Sequence, residues 1–567
     1  MKRAPTSVAE AYLATLKTRG VDWIFGNAGT DFAPLVEAYA NADDGLPVPH
    51  PVEILHETVA VAMAHGYYLM TGKPQCAMVH VNVGTANGLM GIMNASRSQA
   101  PVLFAAGRTP ITEQGRVGSR NAPIHWGQEM FDQGGMLREF VKWDNELRAP
   151  EQVVDCVDRA LAVAQAEPKG PVYLSLPREV LAERLPPDFA FTQSTSQAVP
   201  SVPYPDPAAI TAAAELISNA KSPVLVASNG GAELFEVLGD FVLDAAIPVA
   251  QFWRISTAIS TDHPMFAGDL PGPLLADADL VIVLDTMVPW LPGQMPMNPD
   301  CKILHIGADP LFSALPTRSF KADLSVTSSP TVAVKALHTE LRARGHDTAA
   351  TTVDRRGQLS AALPAQRQRV LQMGAHNSGD LISPPFLSRT LSEVVGTDAT
   401  FVNELGVPPM QLDLTHGKSF YGTSNSAGLG WGGGAALGIK LAEPERLVVW
   451  TTGDGSYVFS NPAACHHAAA SLNLNLLTIV TDNRVWNAVR RATIAVYPQG
   501  TAAREPKMAL TSLEPAPDYT KFVEAYGGWG AAVSDPNELK STLEAALEQV
   551  RDGRQALVAV HCSYPDQ

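Results

Sequence analysis

The stretch Thr452 to Trp486, TGDGSYVFSNPAACHHAAASLNLNLLTIVTDNRVW, decides how the rest of the chain is read. It follows an apolar run, Leu447-Val448-Val449-Trp450, which predicts a buried parallel strand broken at Gly453-Asp454-Gly455. A strand that ends in glycines lets the backbone approach a phosphate closely, and the helix start behind it offers unpaired N–H groups and a positive dipole end. A second apolar run, Leu476 to Val480, ends at Asp482-Asn483. Two strand ends in one sheet bring a carboxylate and a carboxamide together, hard oxygen ligands suited to Mg²⁺ bridging a diphosphate.

Working outward, strand and helix patterns alternate along the chain. A helix over Val8 to Arg19 precedes a strand at Trp23-Ile24-Phe25, broken at Gly26-Asn27-Ala28-Gly29. A helix to Ala40, a strand at Val52 to Leu55, a helix over Glu57 to Met70, a strand over Cys76 to Val79 and a turn at Gly84 follow. After a helix to Ser96, a strand over Val102 to Ala105, a helix over Pro150 to Glu167 and a strand over Val172 to Pro177 complete the first unit. This alternation predicts an α/β protein of doubly wound parallel sheets covered on both faces. Pro186 to Pro207 is rich in proline and serine and predicts a linker. Strands at Pro223 to Ala227, Leu280 to Leu284 and Lys302 to Ile306 form a second unit, whose first turn, Ser228-Asn229-Gly230-Gly231, lacks a full GxGxxG fingerprint. A second linker is expected over Ala343 to Pro385, with one helix around Ala365 to Gln372. The expected domains are 1–185, 205–342 and 375–567.

With 567 residues, 46% of them hydrophobic and 17% charged, the chain is long enough for several buried cores. Its 41 basic and 57 acidic residues give a net charge of −16 with no basic stripe, which argues against a nucleic-acid partner. The five cysteines show no metal or disulfide spacing and suit a reducing compartment. No apolar run is long enough to span a membrane and the basic N-terminus runs into a polar helix, so a cytoplasmic protein is expected.

The Gly453-Asp454-Gly455 and Asp482-Asn483 pair resembles the GDG…NN signature of thiamine-diphosphate enzymes. The resemblance implies Mg²⁺ held by Asp454, Asn483 and the carbonyl of Val485, with Gly453, Gly455 and Ser456 at the diphosphate and Trp486 beginning the helix over the substrate. The sequence has Asp-Asn where the family has Asn-Asn, and the 29-residue separation is slightly long, so Asp482 and Asn483 both stay open as the ligand. Upstream, HETVAVAMAHGYYLMTGKP is similar to the family's HExxAxxxAxGYAxxTGKP segment, which implies that Glu57 binds N1′ of the aminopyrimidine. FYGTSNSAGLGWGGG matches the same family, implying Leu429 beneath the bent cofactor and Ala427 and Gly428 beside its 4′-amino group. Asn403, Glu404 and Gly406 in FVNELGV fall in its diphosphate loop, and Gly84 and Asn87 near its pyrimidine.

FGNAGTDFAPLVEA and HVNVGTANGLMGIMNAS look most like benzoylformate decarboxylase, whose active-site Ser and His fall on Thr30 and His80. APIHWGQEMFDQ is similar to the paired-histidine loop of pyruvate decarboxylases, but His125 stands alone with Trp126 in its partner's place. Arg490 is a further candidate to pair with a substrate carboxylate. The expectation is therefore a thiamine-diphosphate and Mg²⁺ lyase acting on a small 2-oxo acid or aldehyde. Its alternatives are an acetolactate-synthase-like transferase joining two 2-oxo acids, a catalytically inactive cofactor-binding protein of the same fold, and a dinucleotide-dependent oxidoreductase. FAD is permitted but not indicated, because the flavin-contacting Arg-Phe-Asp-Asp is replaced by Asp285-Thr286-Met287-Val288. The family plan implies PYR, central and PP domains, and a homodimer or homotetramer with active sites at the subunit interface.

Overall fold

The computed structural model describes residues 3–42, 45–505 and 507–564. Three sheets are built from strands that pair in parallel throughout. The first holds β1 (Trp23–Asn27), β2 (His50–Glu53), β3 (Cys76–Val79), β4 (Leu103–Arg108), β5 (Asp144–Glu146) and β6 (Val172–Pro177), in the order β2-β1-β3-β4-β6-β5. The second holds β7 (Pro223–Ala227), β8 (Val249–Ala250), β9 (Leu280–Leu284), β10 (Lys302–Gly307) and β11 (Leu324–Thr327), ordered β11-β10-β9-β7-β8. The third holds β12 (Thr400–Glu404), β13 (Phe420–Gly422), β14 (Val448–Gly453), β15 (Leu477–Asp482), β16 (Trp529–Val533) and β17 (Ala556–His561), ordered β13-β12-β14-β15-β17-β16. Central strands such as β3 and β15 are buried at every residue, which is why they appear in the sequence as continuous apolar runs rather than alternating ones. The alternating α/β reading is therefore the observed architecture.

The first and third sheets have the same strand order, and each reverses direction between its first and third strands. In open α/β sheets a ligand binds outside the carboxyl ends of the strands at that reversal. In the first sheet the place lies between the ends of β1 and β3, and in the third between the ends of β12 and β14.

The two outer sheets share one apolar core through a pair of crossing helices, Glu57–Thr71 and Trp431–Ala442. Glycines let these helices touch. A Cβ on Gly66 would lie 2.1 Å from the Ala435 carbonyl oxygen, and one on Gly438 would lie 2.1 Å from that of Met63. At the same crossing the Trp431 indole N–H donates to His65 Nδ1 at 3.1 Å, and burial pushes the His65 imidazole down to about 3, so it packs as a neutral ring.

Three local expectations are corrected. Gly84 lies not in a turn but within the helix Val81–Arg97, whose first turn packs so closely that a Cβ on Gly84 would meet Val79 at 2.9 Å. The expected strand at Val52 to Leu55 begins earlier, at His50, and Leu55 is 54% exposed. The second linker contains a 25-residue helix, Ala350–Gly374, that runs through Pro364. A proline inside a helix removes one N–H and crowds the preceding turn, and a polar helix leaves a weak periodic signal, so only its second half was legible.

Candidate active site

A cavity of about 770 Å³ opens between the carboxyl ends of the third sheet and the central unit. Gly453, Asp454, Gly455 and Ser456 line it from the end of β14, and Asn483, Val485 and Trp486 from the end of β15. Asn403 and Gly406 reach it from the loop after β12, Ala427 and Leu429 from the loop after β13. Of the pair left open by the sequence, Asn483 lines the cavity and Asp482 does not. Three flanking loops each hold one non-glycine residue in the left-handed region: Leu405 at φ 57°, Ala427 at 49° and Arg484 at 60°. Such conformations are uncommon and cluster at ligand sites.

Each loop is fixed from behind. Asn403 Oδ1 accepts the Val407 N–H at 3.0 Å and the Thr451 hydroxyl at 2.7 Å. Gly406 has no room for a side chain, since a Cβ would lie 2.4 Å from the backbone nitrogen of Thr452. Glu404 is fully buried and turned away from the cavity. Its two carboxyl oxygens each accept an N–H, from Gly430 and Gly432, at the start of the Trp431–Ala442 helix, and burial pushes its carboxyl up to about 7. Gly428 also lies behind the cavity, exchanging two hydrogen bonds with Asn94, at 3.1 and 2.9 Å. These two residues act on loop and helix geometry rather than on the cavity.

The donor set fits a hard cation and a diphosphate. Asp454 is buried and accepts only backbone N–H groups, from Gly455 at 2.8 Å and Arg484 at 2.7 Å; burial, with Asp482 nearby, pushes its carboxyl up to about 6. Asp482 Oδ1 is buried without a partner. Two carboxyls crowded in this way are relieved by a cation. Among the described residues no three His, Cys, Asp or Glu side chains gather into a cluster, so a cation here would draw on one carboxylate, the Asn483 carboxamide, a carbonyl such as that of Val485, and ligand or water oxygens.

At the first sheet's reversal a second cluster forms. Thr30 and Asp31 follow β1, and His80 follows β3. His80 Nδ1 meets Asp31 Oδ1, and its Nε2 lies 3.3 Å from Gln128 Nε2. His125 lies in the same loop as Gln128, its Nε2 3.5 Å from Thr30 Oγ1. His125 Nδ1 accepts the Asn121 N–H at 3.1 Å, so in the neutral ring the proton sits on Nε2, toward Thr30. The hydrogen bond to Asp31 raises His80 above the ordinary histidine range, while burial and the nearby Arg178 and Arg120 hold His125 below it. Two histidines are thus pushed toward opposite protonation states. Glu57, the first residue of its helix, is buried and accepts the Asn87 side-chain N–H on Oε2 at 3.2 Å. A Cβ on Gly84 would lie 3.3 Å from Glu57 Oε1, so this glycine keeps the carboxyl uncrowded.

Thr30, His80 and His125 come together as a group, but neither they nor Glu57 line the cavity of the same chain. Sequence reasoning missed Asp31, Gln128 and the central-unit residues Trp253, Arg254 and Asp269 that line the cavity. Asp31 stands in the quoted FGNAGTDF segment, where a carboxylate just past a strand end was the available signal. Arg490 packs over the Tyr564 ring at 5.0 Å, and its neighbour Arg491 lines the cavity instead. In the central unit, a Cβ on Gly230 would lie 2.1 Å from the Thr257 carbonyl, so packing within the unit accounts for that glycine.

Models of the thiamine pyrophosphate enzyme N-terminal TPP-binding domain, central domain and C-terminal TPP-binding domain match residues 6–136, 210–337 and 406–560. The chain is 25% identical to the acetolactate synthase isozyme 3 large subunit of Escherichia coli, over 98% of this chain and 94% of that one. It is 24% identical to benzoylformate decarboxylase of Pseudomonas aeruginosa, over 95% and 96%. In fold it is similar to the thiamine diphosphate-dependent 4-hydroxybenzoylformate decarboxylase of Rhodococcus jostii, with a TM-score of 0.77, 22% identity and coverage of 99% and 100%. Full-length similarity in sequence, all three domain models and the doubly wound sheets agree: the chain is a member of the thiamine pyrophosphate enzyme family.

Proposed function

We propose that the chain is a lyase that decarboxylates a 2-oxo acid with thiamine diphosphate and Mg²⁺ bound in the 770 Å³ cavity. The observation that carries this reading is the paired cluster at the first sheet's reversal, where His80 is favoured charged and His125 neutral beside Thr30. The cofactor, when bound, supplies a nucleophilic carbon and an electron sink for the pair of electrons left by departing CO₂. Asp454, Asn483 and the Val485 carbonyl would hold the cation, and Gly453, Gly455 and Ser456 the diphosphate. Leu429 and Ala427 would pack against it, and Glu57, kept in place by Asn87, would hold a proton at the aminopyrimidine nitrogen. His80 orients the 2-oxo acid carboxylate or donates a proton, and Thr30 and His125 hold a proton at the developing product.

Glu57 and the histidine cluster stand outside their own chain's cavity, which supports an active site completed by a second copy. A dimer or a tetramer built from dimers meets that requirement. No described helix is long and apolar enough to cross a membrane, in keeping with the cytoplasmic setting this reading assumes.

A second reading, ligation of two 2-oxo acids, is favoured by the cavity's size. It falls in the upper part of the range of ligand pockets, roughly 300–1,000 Å³. Incubating the protein with Mg²⁺, thiamine diphosphate and a panel of 2-oxo acids, while reading aldehyde and ligation product together, tests both. Aldehyde supports the lyase, a hydroxy-oxo acid the transferase, and tight cofactor binding without either product would sink both.

A further inference from the structure

The helix Asn487–Val496 follows the Asn483–Trp486 edge of the cavity and buries none of its residues within this chain. Asn487, Ala488, Val489 and Arg491 line the cavity from its first turn and a half. Arg491 makes no hydrogen bond or ion pair among the described residues. The other lining arginine, Arg254, is already neutralised: its Nη2 meets Asp269 Oδ1 at 2.5 Å, and it packs against the rings of Phe266 and Phe420. Asp454, the remaining lining charge besides this pair, belongs to the cation site. Among the described residues of its own chain, Arg491 is therefore the lining charge with no counter-charge, in a chain whose net charge is −16. An unbalanced guanidinium in a cavity concentrates anions there.

The lining also includes four large apolar side chains, Trp253, Leu270, Leu405 and Val489, exposed by 46, 53, 54 and 47%. A cavity that holds both exposed apolar side chains and a fork-shaped cation suits a hydrocarbon chain that ends in a carboxylate. The carboxylate that leaves as CO₂ is a poor partner for Arg491. A bidentate ion pair stabilises the charged ground state more than a transition state in which that charge is being lost.

We propose that Arg491 is a specificity-determining residue that holds a carboxylate remote from the reacting carbonyl, so that the favoured substrates are 2-oxo dicarboxylic acids. The inference rests on the 2-oxo acid reading above.

The test uses full-length protein loaded with Mg²⁺ and thiamine diphosphate, and substrates matched in carbon count, 2-oxoglutarate and 2-oxopentanoate. Wild type should prefer the dicarboxylate in kcat/KM. Arg491→Gln should lower kcat/KM for the dicarboxylate about tenfold more than for the monocarboxylate, chiefly through KM, and Arg491→Lys should recover part of the loss. Calorimetric binding of glutarate against pentanoate reads the same contact without turnover, and glutarate should lose its advantage in Arg491→Gln. Equal losses on both substrates would overturn the proposal, since Arg491 would then hold the reacting carboxylate. Weakened cofactor affinity in Arg491→Gln would overturn it in favour of a diphosphate contact. If no 2-oxo acid turns over while glutarate still binds through Arg491, the decarboxylation reading has failed and the anion site stands.

Discussion

His80 Nδ1 lies 2.5 Å from Asp31 Oδ1, and the imidazole sits so close to Gly29 that a Cβ there would lie 2.1 Å from the same nitrogen. Backbone strain marks the spot, because Val81, the next residue, is held at φ 33°, where a β-branched side chain is disfavoured. The glycine, the carboxylate and the strained junction together fix one orientation of the ring.

The Asp31 hydrogen bond raises His80 above its ordinary value, and a histidine raised on folding contributes stability that is fully present below the unfolded pKa of 6.5. That contribution is lost as pH rises through the folded value. Asp31→Asn should therefore lower the His80 pKa in an NMR titration. It should also destabilise the protein by about 1–2 kcal/mol more at pH 5.5 than at pH 9, from the loss of a charge-assisted hydrogen bond. An unchanged His80 titration would remove Asp31 from this role.

Glu57→Gln keeps the hydrogen bond from Asn87 but not the acidic proton. Cofactor affinity should stay near wild type while turnover falls about 100-fold or more, as expected for a proton-transfer group. Near-normal rates in a steady-state assay would end the assignment.

Asp454→Ala removes the lining carboxylate of the proposed cation site. Titration of thiamine diphosphate with and without Mg²⁺ should show that metal-dependent affinity is lost in the variant, and chelation should do the same to wild type. Unaltered Mg²⁺-dependent binding would move the phosphate site elsewhere.

The helix crossing makes a prediction independent of chemistry. Gly438→Ala places a methyl group about where the Met63 carbonyl stands and should cost about 1–3 kcal/mol by thermal melting. Gly357→Ala, in the Ala350–Gly374 helix with nothing within 4 Å of the new Cβ, should stabilise by up to about 1 kcal/mol. A Gly438→Ala protein as stable as wild type would contradict the close packing of the two helices.

The parallel strands were legible because burial on both faces writes them as apolar runs, and the glycine turn at Gly453-Asp454-Gly455 because it breaks such a run, Gly455 standing where a Cβ would lie 2.2 Å from the Trp486 ring. Both are local demands, met by neighbouring residues. The identical strand order of the outer sheets, the turning of Glu404 onto a helix start 26 residues on, and the choice of Asn483 over Asp482 to face the cavity depend on how elements dock. So does the exchange of Arg490 for Arg491. One residue moves a side chain about 100° around a helix, and only the packed neighbour, here the Tyr564 ring, fixes which side faces inward. The order of residues thus determined the elements and the chemistry they carry, while the tertiary structure decided which side chains meet, because contact is set by the phase and docking of elements far apart in the chain.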